Sequence, residues 1–241
     1  MPEEPPQPYL PLTSISMFVG TLPYIQDLAT TILVLKCELD FITSDDPAIS
    51  ANRFHTQRLG EHGFGWINSG AQLFMPLTPR HALLCYDSGV YKLEGADEPF
   101  VEVRKSADIS AINDLQLLYC ARNVYFKDWK TRDLIHERYQ AIEKSRLASR
   151  HNLTVYVKEP DEGQGESYRI ATEDEKNGQG PFLLTTQFKY PSPPRWFSML
   201  RYRLSPRMYH NGSAVGFVRN LDWIRRKDPN VPRMMLRQKP N

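Results

Sequence analysis

The chain has 241 residues, 41% hydrophobic and 24% charged, with 19 prolines, 3 cysteines and a formal net charge of +2. That balance excludes a generally disordered chain and suffices to bury a core in one large domain or two small ones. The charge is uneven: up to Pro191 there are 19 Lys/Arg against 26 Asp/Glu, and from Ser192 onward 11 against 2. A basic C-terminal fifth can therefore face the acidic body of its own chain, a nucleic acid or another anionic surface.

The start, Met1-Pro2-Glu3-Glu4-Pro5, lacks the basic and apolar regions of a signal peptide. The longest apolar-leaning stretch, 15–35, is broken by Pro23, Gln26 and Asp27 and does not read as a membrane span. Cys37, Cys85 and Cys120 form no CxxC pair. Reduced thiols in a cytoplasmic protein without membrane contact are expected, and no metal site is indicated. Walker A, GxGxxG and GxSxG motifs are missing, so the cofactor is left unknown.

In chain order, a proline-rich leader covers 1–11. Leu12 to Ala29 has helix-like spacing, with Ile15, Val19, Leu22, Ile25 and Leu28 near one face and Pro23 dividing it. Residues 32–35 and 38–43 read as strands, the second running into Ser44-Asp45-Asp46-Pro47; 51–70 reads as a loop. Residues 73–75 and 82–86 read as strands separated by Pro76-Leu77-Thr78-Pro79, with shorter strands at 90–93 and 100–103. Asp108 or Ser110 can cap a helix over 111–121. A short extended piece at 123–126 follows. An amphipathic helix over 133–147 comes next, with Leu134, Ile135, Tyr139, Ile142 and Leu147 inward. After a strand at 153–157, the polar, glycine-bearing segment 159–180 reads as a flexible insertion. Residues 181–218 hold C-terminal strands of the same domain, around Pro191 to Pro194, and 219–241 form a basic tail. The expected fold is α+β: a core over 12–158 with a mixed, mainly antiparallel sheet flanked by two or three helices.

Phe41-Ile42-Thr43-Ser44-Asp45-Asp46-Pro47 is followed by Phe74-Met75-Pro76-Leu77-Thr78-Pro79-Arg80, then Ile112-Asn113-Asp114-Leu115-Gln116 and Ala121-Arg122-Asn123-Val124-Tyr125. In that order the blocks over 30–127 resemble an uncharacterised, largely bacterial family, the domain-of-unknown-function family numbered forty-two thirty-eight. Its members carry an F-[IV]-T-S-D-N-P block, a P-L-[ST]-P block, and a helix ending before a short V-Y strand. Asp46 stands where the family usually has Asn. The family's opening H-Y-V-P-Q-like segment has no counterpart here, so the chain is read as lacking that part. The resemblance implies a layout and no activity.

Two readings of the Ser44–Pro47 block stay open. Ser and Asp side chains bond nearby backbone N–H groups in tight turns, and the residue before proline is pushed extended. Alternatively Ser44, Asp45 and Asp46, at a strand's end, act as catalytic groups with His55 as a proton shuttle. His62 and His81 fall in the same region, and Arg80, His81, Asn113 and Arg122 are candidate binding residues, Arg80 suited to gripping a phosphate or carboxylate. Near the C-terminus, Arg195-Trp196-Phe197, Arg201-Tyr202-Arg203 and Arg207-Met208-Tyr209 interleave arginine with aromatics. That composition suits a nucleic-acid surface, or a strand with Trp196 and Tyr202 inward. The functional expectations are a hydrolase acting on a phosphate-bearing or nucleic-acid substrate through the Ser44–Pro47 turn, or a non-catalytic interaction protein completed by a protein partner. The second calls for an exposed apolar patch near Leu10 to Leu28.

Overall fold

A computed structural model describes residues 22–60, 64–96, 98, 100–147, 151–158, 168–176, 182–210, 217–219 and 237–238. The chain enters through a 3₁₀ turn, Leu22–Tyr24, into β1 (Ala29–Leu35), followed by β2 (Thr43–Ser44) and β3 (Ile49–Ala51). A π-helical turn at His55–Leu59 precedes the hairpin of β4 (Gln72–Thr78) and β5 (His81–Tyr86), then β6 (Tyr91–Leu93) and β7 (Phe100–Val103). The helix α1 (Ser106–Tyr119), β8 (Val124–Tyr125) and α2 (Arg132–Ile142) come next. The remaining elements are β9 (His151–Lys158), β10 (Tyr168–Ile170), α3 (Glu173–Lys176), β11 (Phe182–Phe188), β12 (Leu200–Tyr202), β13 (Tyr209–His210), β14 (Phe217–Val218) and β15 (Arg237–Gln238).

The main sheet has the order β3-β4-β5-β1-β7. All its neighbours are antiparallel except β1 and β7, which run parallel. The fold is therefore α+β with a mixed, mostly antiparallel sheet. Alternation makes one face of this sheet the core: Leu33 and Leu35 of β1, Ala82, Leu84 and Tyr86 of β5, and Val101 and Val103 of β7 are buried. Ile109, Ile112, Leu115 and Leu118 of α1 join the same cluster. Smaller ladders surround it: β10-β9-β11, β12 with β6, β2 with β8, and β14-β13-β15.

Several sequence expectations are corrected. Residues 22–28 form a 3₁₀ turn and a bend, and Ala29 already belongs to β1; the apolar spacing reflects strand and turn burial. The remainder of the expected helix, and the expected patch from Leu10 up to residue 21, lie outside the described residues. Segment 38–42 is irregular, with Phe41 and Ile42 buried, because its backbone bonds to loops and side chains and not to a strand partner. Pro76 sits inside β4 and the turn is Pro79-Arg80. Proline is tolerated there because β3 covers only Gln72 to Phe74 and the β4–β5 register shifts between Pro76 and Thr78. The helix α1 begins at Ser106, five residues before the expected start. Leu134, expected inward on α2, is 57% exposed. Within 159–180, Tyr168–Ile170 pairs with β9 and Glu173–Lys176 makes a helical turn; Glu175 takes both Arg169 guanidinium nitrogens.

One glycine marks a close approach. Gly70 has φ +82°, and a Cβ there would lie 2.6 Å from Phe54 Cβ and 2.8 Å from Asn52 Oδ1. Its N–H donates to Asp87 and its carbonyl accepts from Tyr91. Gly70→Ala is expected to destabilise by about 3 kcal/mol or more, adding overpacking to left-handed strain. Gly60→Ala, at φ +70° with nothing within 4 Å, is expected to cost only the strain, about 1–2 kcal/mol. Urea unfolding of both variants checks the difference.

Candidate functional site

The polar side chains of α1 hold the chain segments around it. Asp108, expected as a cap, instead accepts from Ser198 N and Ser198 Oγ at 2.6 and 3.0 Å. Asn113 accepts from Ile42 N at 3.1 Å and donates to Asp40 O at 3.0 Å, so one amide fixes the irregular 40–42 stretch. Gln116, fully buried, accepts from Ser44 Oγ at 2.8 Å and donates to Pro47 O at 2.9 Å. The Tyr119 hydroxyl donates to Ser50 O.

The Ser44–Pro47 block is bound from both sides. Besides reaching Gln116, Ser44 Oγ accepts from Asp46 N at 3.2 Å. Asp45 Oδ1 accepts from Ala121 N at 2.8 Å, and Oδ2 from Arg122 N and Asn123 N at 2.8 and 3.1 Å. The carboxylate thus ties together three successive N–H groups where the chain leaves α1. Desolvation opposes ionisation of Asp45, but these three N–H groups and its own outweigh it, and the carboxyl titrates below its ordinary value. The ladder of β2 with β8, Thr43 opposite Tyr125, completes the closure.

Beside the turn, a cleft of about 260 Å³ opens between residues 38–42, α1 and the segment leading into α2. Its walls are Leu39, Phe41, Ile42, Leu117, Phe126 and Ile135. Asp114, its side chain fully buried, forms the floor with Arg138. Arg138 Nε donates to Asp114 Oδ1 at 2.5 Å and Nη2 to Oδ2, and these bonds hold the guanidinium pKa above its ordinary value. Asp40 is paired with Arg80 at 3.1 Å and lies 3.9 Å from Lys127. Glu38 and Asp128 are exposed at the lip with Leu134. Trp129, 71% exposed, stacks on Phe126 with ring centroids 5.9 Å apart.

The structure brings together Ser44, Asp45, Asp46 and the Arg122 backbone at the turn, with Asn113 and Arg80 one segment away. Arg80 donates to the carbonyls of Leu35 and Leu39 as well as to Asp40, so its fork is occupied by the loop it holds. His81 lies at the tip of the β4–β5 hairpin, 2.9 Å from Thr78 Oγ1. His55 is buried in the π-helical turn with Asn52, Phe54 and Phe64 as neighbours, none of them part of the Ser44–Pro47 network. His62 lies outside the described residues. Among the described residues no cluster of three or more His, Cys, Asp or Glu could hold a metal ion, and no helix is long and apolar enough to cross a membrane. Among the described residues no disulfide joins Cys37, Cys85 and Cys120. Sequence reading missed the Asp114–Arg138 pair and the Phe126–Trp129 stack. The available signal for the first was an acid at a core-facing position of a helix, which needs a cation partner.

The family model described as "Protein of unknown function (DUF4238)" matches residues 9–130, just over half of the chain, and the chain belongs to that family. The match contains the Ser44–Pro47 turn, α1 and most of the cleft's lining. No curated protein and no solved structure matches.

Two outcomes follow from the geometry. Arg138→Met leaves the Asp114 carboxylate buried, with Arg195 Nε, 3.9 Å away, as its remaining cation neighbour among the described residues; a loss of about 3–5 kcal/mol is expected, most of it recovered by adding Asp114→Leu. Because the folded Asp45 pKa is depressed, its stabilisation is present above the unfolded value of about 4 and lost as pH falls through the folded value. Asp45→Asn should therefore be less stable than wild type near neutrality, and the gap should narrow on acidification in pH-dependent unfolding.

Proposed function

We propose that this member of the DUF4238 family is a non-catalytic binding protein whose cleft between residues 38–42, α1 and α2 takes a segment of a partner protein. The observation that carries this reading is the cleft's make-up: apolar walls, an exposed aromatic stack beside them, and at the lip the carboxylates Glu38 and Asp128, with Lys127 drawn toward Asp40. Exposed tryptophan and tyrosine are the residue types that anchor protein interfaces, and Tyr125, Trp129 and Leu134 are each more than half exposed here. The lip charge selects the occupant, a segment with an apolar side chain followed by Lys or Arg.

The hydrolase reading draws less support from the same geometry. Ser44 is engaged by Gln116 and the Asp46 N–H, and both Asp45 oxygens by backbone N–H groups. A general base needs an open lone pair within reach of its proton, and Asp45 uses three of its roughly four acceptor sites on closing the turn. His55, the proposed shuttle, sits in a different network.

Selection of a random peptide library on the folded protein should enrich an apolar residue next to Lys or Arg. A synthetic peptide of that kind should bind at least about tenfold more weakly to Leu134→Asp, a substitution at an exposed site that leaves the fold intact. Absence of enrichment, or equal binding to Leu134→Asp, rejects the cleft. Phosphodiester hydrolysis abolished by Asp46→Asn at unchanged stability would reinstate the enzyme.

A further inference from the structure

A second concave site forms where the π-helical turn meets residues 194–202. The π-helical turn and its lead-in supply Arg53, Gln57 and Arg58; the stretch from Pro194 to Tyr202 supplies Arg195, Trp196, Ser198, Arg201 and Tyr202. All but Arg58, which lies over the Tyr202 ring, line a cavity of about 340 Å³ with no carboxylate among its described lining residues. Segments more than 130 positions apart in the chain thus place four arginines in one neighbourhood.

The way these arginines are held is the informative part. The guanidinium carbons of Arg53 and Arg58 each lie 5.0 Å from the centroid of the Tyr202 ring. Arg53 is further fixed by Nε donating to Gln57 Oε1 at 2.7 Å and Nη1 to Leu200 O at 3.3 Å, while the Tyr202 hydroxyl donates to Arg53 O at 3.0 Å. Neutral groups and a ring face therefore position the guanidiniums without cancelling their charge. Arg201 pairs with Glu94 at 3.1 Å, but both side chains are more than half exposed, and such a pair is weak and readily exchanged. Arg195 approaches Asp114 only to 3.9 Å, and that carboxylate already has Arg138. Uncancelled, pre-positioned guanidiniums are a site for phosphate oxygens.

Two features extend this from a phosphate to a strand. Trp196, partly buried in the lining, offers an indole beside the guanidiniums, as base stacking requires. A second groove of about 600 Å³, lined by Lys92, Arg201, Tyr202, Arg203 and Glu94 among others, shares Arg201 and Tyr202 with the first. The two adjoin through these residues, with cations along both and Glu94 as the one acid among their described lining residues.

We propose that this arginine and aromatic track binds single-stranded nucleic acid, with Arg53, Arg58, Arg195 and Arg201 on the phosphates and Trp196 against a base. The measurement is fluorescence anisotropy of the full chain with a labelled ten-nucleotide single strand over a salt series, with adenosine monophosphate and inorganic phosphate as competitors. Binding should weaken with a log–log salt slope of about −2 to −3, as expected for three or four phosphates. Arg53→Gln with Arg201→Gln should weaken binding at least about tenfold, and Trp196→Phe should bind more tightly than Trp196→Leu. Lys130→Gln with Lys144→Gln removes the same charge outside the track and should leave binding nearly unchanged. Thermal unfolding of each variant identifies any that fails to fold, and the exposed Arg195→Gln with Arg201→Gln then serves in its place. Equal weakening by the lysine pair, no binding at low salt, or competition by the mononucleotide or phosphate as effective as by unlabelled strand would each overturn the proposal.

Discussion

A helix buried on nearly every side cannot carry polar side chains without partners, since an unsatisfied buried group costs about 1–3 kcal/mol. That constraint organises this protein. Asp108, Asn113, Asp114, Gln116 and Tyr119 of α1 each reach out of the helix to a different stretch: Ser198, residues 40–42, Arg138, the Ser44–Pro47 turn and Ser50. The turn answers by capping the N–H groups past the helix's end through Asp45. Segments with no regular structure are thus positioned by hydrogen bonds to one helix, the loop beside the cleft among them.

The same constraint separates the molecule's charges into two kinds. Where a charge is buried it has a counter-charge: Asp114 has Arg138, and Arg219 has Asp27 at 3.1 Å, with the Tyr24 carbonyl also accepting from Arg219. Burial pushes the Arg219 pKa down and those of Asp27 and Asp87 up, as desolvation of each charged form requires, with the attraction between them working the other way. At the surface, charge of one sign predominates in two places. Glu38 and Asp128 edge the apolar cleft, and the arginines around Tyr202 edge the other groove.

Burial patterns were readable where a local rule governs them. β5 alternates as His81, Ala82, Leu83, Leu84, Cys85, Tyr86 suggests, with Ala82, Leu84 and Tyr86 inside. The short extended piece after α1 and the β9 and β11 strands fell where β-prone residues and turn signals placed them. The expected strand failed over 38–42 because the alternating Leu39, Phe41 and Thr43 imitate one; the partners of Phe41 and Ile42 are the Pro79 carbonyl and Asn113, 38 and 71 positions away. Leu134 failed because a helical stripe says which residues share a face, and the chain entering from Trp129 leaves part of that face uncovered.

The sequence by itself determined the fold class, the family, the strand faces and the prominence of the Ser44–Pro47 turn, because these follow from periodicity, composition and contiguous residue blocks. Only the tertiary structure decided what that turn's side chains do. Whether Asp45 is an acid waiting for a proton or a clasp for three N–H groups depends on where residues 121–123 arrive, more than 70 positions later. The same holds for Tyr202, whose ring meets Arg53 and Arg58 only after the chain has crossed the core. Long-range juxtaposition is set by how the whole core closes, and no local pattern encodes it.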